Sequence, residues 1–260
     1  MEAIRDKKYI ERVDNWIDIR KTLRPLDLVF MRGCSMYSNL ISVLEKKTTG
    51  NGDFTHVGIV ITNEILPDLN LKPESLYIWE STISMKRGPA SVNGIVDEVT
   101  GKGYFGVHLR NLDMLIKSSI ELQKDSRISI GILKDNPWND ESLRQWIVSK
   151  FKSIYTSLNH TRYDMRPVSI LGAIIPCMRP VRSYFVSLDD DNLFSDKLPT
   201  DNLLFCSELI ASTYQKLGIL DPEIDPSNVL PVDLLGYDAD AEIDCIITEL
   251  IHIFNINESN

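Results

Sequence analysis

The chain has 260 residues, 43% apolar and 25% charged, with a formal net charge of −9. That is globular composition, with enough apolar material for one large domain or two small ones. The acidic balance and the lack of any long Lys/Arg run argue against a nucleic-acid binder, which needs a basic surface for phosphate.

Met1-Glu2-Ala3-Ile4-Arg5-Asp6-Lys7-Lys8 lacks the apolar segment of a secretory signal. Four cysteines, Cys34, Cys177, Cys206 and Cys245, are too sparse for a disulfide scaffold and form no C-x-x-C pair. The longest apolar stretch, Ile170 to Met178, is broken by Pro176 and is too short to span a bilayer. The expectation is a soluble, cytoplasmic protein with free thiols.

In chain order, Ile4 to Leu23 carries Ile10, Val13, Trp16 and Ile17 at helical spacing and reads as a leading amphipathic helix. Pro25 ends it, and Asp27 to Met31 is a short buried strand. Met36 to Glu45 resumes helical spacing, and Thr48 to Asp53 is a loop by composition. His56 to Ile61 is an apolar strand with a histidine at its start, and Leu76 to Glu80 is a strand with a carboxylate at its end. A glycine-rich stretch leads into Val107-His108-Leu109-Arg110, and Ile128 to Leu133 alternates as a further strand. Glu141 to Leu158 is a strong helix, with Leu143, Ile147, Phe151, Ile154 and Leu158 on one face. Pro167, Pro176 and Pro180 preclude one regular element after Tyr163-Asp164. A helix opens at Cys206, with Leu209, Ile210, Thr213 and Leu217 at helical spacing and Gly218 as its stop. Pro231 to Leu235 fits a single turn, and Ile246 to Ile256 fits a strand or a helix. Strands between residues 27 and 133 followed by helices point to an α+β domain around an antiparallel sheet.

Cys206 is the residue with the most chemistry in it. A thiol in a first helical turn faces unpaired N–H groups and the positive end of the helix dipole, and both favour the thiolate. With a histidine opposite, it is a nucleophile; without one, it is a small buried hydrophobe. Four histidines are available: His56 and His108 in apolar strands, His160 in a polar loop and His252 in the apolar tail. Glu80 closes an apolar strand, where it is either solvated or partnered by a histidine whose tautomer it would fix. His56, Glu80 and His108 also have the ligand types of a zinc site, but no H-E-x-x-H signature accompanies them. Neither phosphate-binding glycine loop, G-x-x-x-x-G-K-[ST] or G-x-G-x-x-G, occurs, nor does the serine-hydrolase G-x-S-x-G.

Taken together these segments resemble a known family. Leu26-Asp27-Leu28-Val29-Phe30 is similar to the opening G-D-hydrophobic strand of NlpC-superfamily papain-like domains, with Leu26 where glycine is usual. Thr55 to Val60 resembles the family's histidine strand, Ile78-Trp79-Glu80 the strand bearing its third polar member, and Tyr163-Asp164 a Tyr-Asp motif upstream of the nucleophile. Phe205 to Ile210, with Tyr214 and Gly218, resembles the nucleophile helix, and Leu230 to Leu234 the Pro-x-Asp-Leu segment that follows. The order His, Glu, Cys matches the circularly permuted branch, the YiiX/YaeF-like proteins and their relatives in poxviruses and other large DNA viruses. The resemblance spans about residues 24–236 of a single domain over 1–260, with the N-terminal helix and acidic C-terminal tail as extensions.

The resemblance implies a papain-like α+β fold and a cysteine hydrolase that cleaves an amide, peptide or ester bond through a thioester, with no cofactor. Cys206 would be the nucleophile, His56 the base and Glu80 its orienter, leaving Cys34, Cys177 and Cys245 structural. Tyr163 is a candidate for oxyanion or substrate binding by the same analogy, or a core tyrosine. Lecithin retinol acyltransferase-like enzymes are permuted cousins. They imply a lipid acyl substrate and peripheral contact with a membrane, with Ile170 to Ile175 as a candidate groove lining. A non-catalytic viral or binding protein that retains the fold is the third alternative.

Overall fold

The computed structural model describes residues 9–32, 54–82, 97–101, 106–122, 127–162, 204–236 and 243–253. Tyr163, Asp164, Cys34, Cys177, the expected helix from Met36 to Glu45 and the Ile170 to Ile175 stretch all lie outside these residues.

Seven strands make one sheet: β1 (Ile10–Asp14), β2 (Leu28–Arg32), β3 (His56–Ile61), β4 (Tyr77–Thr82), β5 (Gly106–Asn111), β6 (Arg127–Leu133) and β7 (Ile247–Ile253). Their spatial order is β1-β7-β6-β2-β3-β4-β5. Among the described residues there are four α-helices: α1 (Trp16–Thr22), α2 (Leu112–Leu122), α3 (Glu141–Leu158) and α4 (Cys206–Lys216). The class is α+β, but the sheet is mixed rather than antiparallel, because β1 runs parallel to β7 at one edge. Among the described residues, no helix is long and apolar enough to cross a membrane.

Both faces of the sheet are covered, so its central strands read as continuous apolar runs. Leu28, Phe30, Val57, Ile59, Tyr77 and Trp79 face α3 and α4, and pack with Phe151, Leu209, Ile210 and Tyr214. Val29, Met31, Val60, Ile78, Ile128 and Ile130 point the other way, onto Ile19 of α1 and Leu112, Leu115 and Ile116 of α2.

The expected leading helix is two elements. Residues 10–14 form β1, and the helix starts only at Trp16, where the Asn15 side chain caps the Asp18 N–H. Tertiary pairing overrides the helical spacing. Arg12 Nε bonds Glu249 at 2.9 Å, while His252 of β7 bonds Glu11 on one side (2.6 Å) and Ser129 of β6 on the other (2.7 Å). The undecided tail is the strand β7, and helix α2 follows β5 directly where the sequence showed no element.

The turn before β2 binds the layers together. Asp27, buried, accepts the N–H groups of Arg24 and Leu133 and the amide of Asn136. Leu26 takes φ 75°, in the left-handed region that costs a non-glycine residue roughly 1–2 kcal/mol. It is held there by complete burial, by its N–H on the Val60 carbonyl and by the Tyr214 hydroxyl, which donates to its carbonyl at 2.5 Å. Tyr214 belongs to α4, so this turn fixes the helix of Cys206 against β3.

Burial pushes the Asp27 carboxyl up to about 6, despite the N–H groups of Arg24 and Leu133 and the Asn136 amide that favour its charge. A raised carboxyl pKa means that the folded state holds the proton more tightly than the unfolded chain. Its charged form therefore costs stability above about pH 6, and the cost disappears as pH falls toward the unfolded value. Relative to Asp27→Asn, which does not titrate, the wild type should gain roughly 2 kcal/mol between pH 7 and pH 4. Urea denaturation of both proteins at the two pH values measures this. A pH-independent difference would show that folding does not raise the Asp27 pKa.

Candidate active site

Helix α4 begins at Cys206, behind an extended Phe205 whose N–H reaches the Glu208 carboxylate at 3.3 Å. The first intrahelical bond is Leu209 N–H to the Phe205 carbonyl. The N–H groups of Cys206, Ser207 and Glu208 thus lie ahead of it, at the positive end of the dipole. Leu209, Ile210, Ala211 and Tyr214 are buried in the same core cluster as Cys206, so the helix start cannot shift without unpacking the core. Gly218, at φ 69°, takes the left-handed stop expected of it.

His56 opens β3, whose first residue sits at the sheet end with its side chain 16% exposed. Its Nε2 lies 2.6 Å from Glu80 Oε2. The Cys206 thiol lies close enough to the ring that each group shifts the pKa of the other. The structure thus joins His56 of β3 and Glu80 of β4 by a hydrogen bond, with Cys206 at the start of α4 near enough to interact with the ring.

Burial disfavours charge on all three groups, and their neighbours outweigh it. Burial pulls His56 down, but the Cys206 charge and hydrogen bond and the contacts with Glu80 raise it to about 10. Burial pushes the Cys206 thiol up, but the His56 charge and hydrogen bond, with the N–H groups of Val57 and Ser207, bring it below its ordinary value. Burial likewise pushes Glu80 up, but the Arg110 charge, then the His56 hydrogen bond and charge, hold it at about 2. These neighbours favour a thiolate–imidazolium pair backed by a carboxylate.

Glu80 has 0% of its side chain exposed, which settles that it is partnered rather than solvated. Its second oxygen, Oε1, lies 2.7 Å from Arg110 Nη2, an ion pair whose angles fall short of a hydrogen bond, and 3.7 Å from His108 Nε2. His108 donates Nδ1–H to the Gly106 carbonyl at 2.9 Å, and burial lowers its pKa, so the ring is neutral. Glycine at position 58 makes room for the approach of β3 to Glu80. A Cβ there would come within 2.5 Å of Ile78 Cδ1 and 3.2 Å of Glu80 Cβ.

The other candidates fall away from this site. His160 is in a loop near Asp97, at 3.8 Å, and His252 is engaged with Ser129 and Glu11. Cys245 is buried, with its thiol 3.4 Å from the Ile247 carbonyl. His56, Glu80 and His108 do converge, but among the described residues no group of three or more His, Cys, Asp or Glu side chains is arranged to hold a metal. Arg110 was missed in the sequence. Its signal was the His108-x-Arg110 spacing, which puts two basic side chains on one face of an otherwise apolar strand.

No protein-family model matches the chain, and no curated protein matches it in sequence.

Proposed function

We propose that this chain is a cysteine hydrolase of the circularly permuted, papain-like NlpC type, cleaving an amide, peptide or ester bond. The observation that carries the reading is the Cys206–His56–Glu80 chain with the sulfur at a helix N-terminus. The resemblance of the surrounding segments supports the same assignment, and the order His, Glu, Cys supports the permuted branch.

The thiolate of Cys206 attacks the substrate carbonyl carbon, and the carbonyl π pair moves to oxygen. The Cys206 N–H, ahead of the first intrahelical bond, is placed to donate to that oxyanion. His56, already an imidazolium, gives its proton to the leaving nitrogen or oxygen as the bond to carbon breaks. The thioester then meets water, whose proton passes to His56 as hydroxide adds. Collapse of this second intermediate releases the acid and the Cys206 thiolate. Glu80 holds the ring orientation and stabilises its charge in both steps without itself changing protonation.

An electrophilic acyl probe at neutral pH tests the reading. Modification should be confined to Cys206 and lost in Cys206→Ala, with mass spectrometry identifying the labelled peptide. Equal labelling of all four cysteines, or none at Cys206, would refute it.

A further inference from the structure

We propose that Arg110 is a positioning residue of this site: it fixes Glu80 as a buried carboxylate and through Glu80 sets the charge on His56 and Cys206. The inference rests on the cysteine-hydrolase reading and extends it by one residue on a neighbouring strand.

The register creates the contact. In the antiparallel β4–β5 ladder, Glu80 pairs with His108 and Ile78 with Arg110. Arg110 is therefore the diagonal neighbour of Glu80 on the same face, within reach of a long side chain. The titratable groups that face Glu80 are His56 from β3, His108 and Arg110 from β5, and Cys206 of α4 beyond His56. Gly58, beside Glu80 on β3, presents no side chain.

Of these, only Arg110 carries a charge that does not depend on pH. His56 is charged only when it has taken the thiol proton, so it cannot keep Glu80 ionised in advance of that transfer. His108 contributes least, because burial lowers its own pKa; its Nδ1–H is given to the Gly106 carbonyl, and its Nε2, 3.7 Å from Glu80 Oε1, makes no hydrogen bond. Glu80 Oε1, His108 Nε2 and Arg110 Nε make no hydrogen bond in the protein, so the cluster is held by charge and not by a saturated hydrogen-bond network. Without the guanidinium, a carboxylate with no exposed surface takes up a proton rather than remain charged. A neutral Glu80 no longer stabilises the imidazolium, and the thiolate loses its counterion. The Arg110 side chain itself is 19% exposed, so its charge retains solvent contact while Glu80 has none.

The test is the pH dependence of Cys206 alkylation by iodoacetamide, followed by mass spectrometry, with Cys206→Ala giving the background from other thiols. Arg110→Gln should move the acid limb up by roughly one pH unit and slow alkylation about tenfold below it, the size of effect expected from losing one adjacent charge. Arg110→Lys should recover most of the shift. In a Glu80→Gln background, removing Arg110 should leave the acid limb where Glu80→Gln alone puts it. A wild-type acid limb in folded Arg110→Gln, or a full additional shift in the double variant, overturns the inference. If Arg110→Gln does not fold, Arg110→Lys carries the test: a shift smaller than half a unit is expected, and a shift as large as that of Glu80→Gln overturns it. A wild-type Cys206 that alkylates no faster than an ordinary thiol refutes the hydrolase reading itself, a result distinct from all of these.

Discussion

His56→Ala should slow alkylation of Cys206 at pH 6 by about a hundredfold. In the wild type the His56 charge and hydrogen bond hold the buried thiol below its ordinary value, which favours the thiolate–imidazolium pair in mild acid. Alanine removes both the charge and the hydrogen bond. What remains is burial, which pushes the thiol up, against the N–H groups of Val57 and Ser207. A thiol restored to an ordinary pKa of about 8.5 is roughly 0.3% ionised at pH 6. Its higher basicity makes the remaining thiolate somewhat more nucleophilic, which offsets part of the loss. The alkaline side supplies an independent check. His56, raised to about 10, should lose its proton near that pH. Above it the sulfur remains a thiolate but the general acid is gone. Turnover of an activated ester should therefore fall near pH 10 while alkylation does not. Equal alkylation rates for wild type and His56→Ala at pH 6 would show that the thiolate does not depend on the histidine.

The elements that build this site were legible because each is defined by local chemistry. The runs around Val57 and Ile78 are continuous because both faces of those strands are buried. Cys206 marked a helix start because the residues after it repeat at helical spacing. What escaped the sequence depends on distant partners. β1 leaves Ile10 and Val13 exposed, so it has no apolar alternation to announce a strand, and its pairing is set by Glu249 and His252. α2 was hidden because it starts with no glycine or proline after β5; Asn111, the last strand residue, itself caps the Met114 N–H. The spacing put Arg110 on the face of His108, but its role was hidden for the same reason: Glu80, the group that requires it, lies on another strand, and only the register reveals that the two share a face.

Glu80→Ala should destabilise the fold by about 3–5 kcal/mol at neutral pH, the cost of leaving buried positive charge without its partner. The carboxylate holds His56 at 2.6 Å and Arg110 at 2.7 Å, and alanine strands both. The pH dependence separates this from simple loss of packing. Burial pushes Glu80 up, but Arg110 and His56 depress it to about 2, from an ordinary carboxyl value of 4.5. A depressed carboxyl pKa means that the unfolded chain binds the proton more tightly. The stabilisation is therefore complete above pH 4.5 and disappears as pH falls through 2. The shift corresponds to on the order of 3 kcal/mol. Urea unfolding of wild type and Glu80→Ala should diverge most at pH 7 and approach one another below pH 3. A difference that persists undiminished at pH 2.5 would mean that Glu80 contributes volume, not charge. A difference near zero at pH 7 would mean that Arg110 and His56 do not need it. Glu80→Gln divides the effect further. It keeps an oxygen to accept from His56 Nε2–H but offers no charge to Arg110. It should therefore preserve the orientation of the ring while losing most of the electrostatic stabilisation, so that the acid limb of Cys206 reactivity rises even where the fold survives.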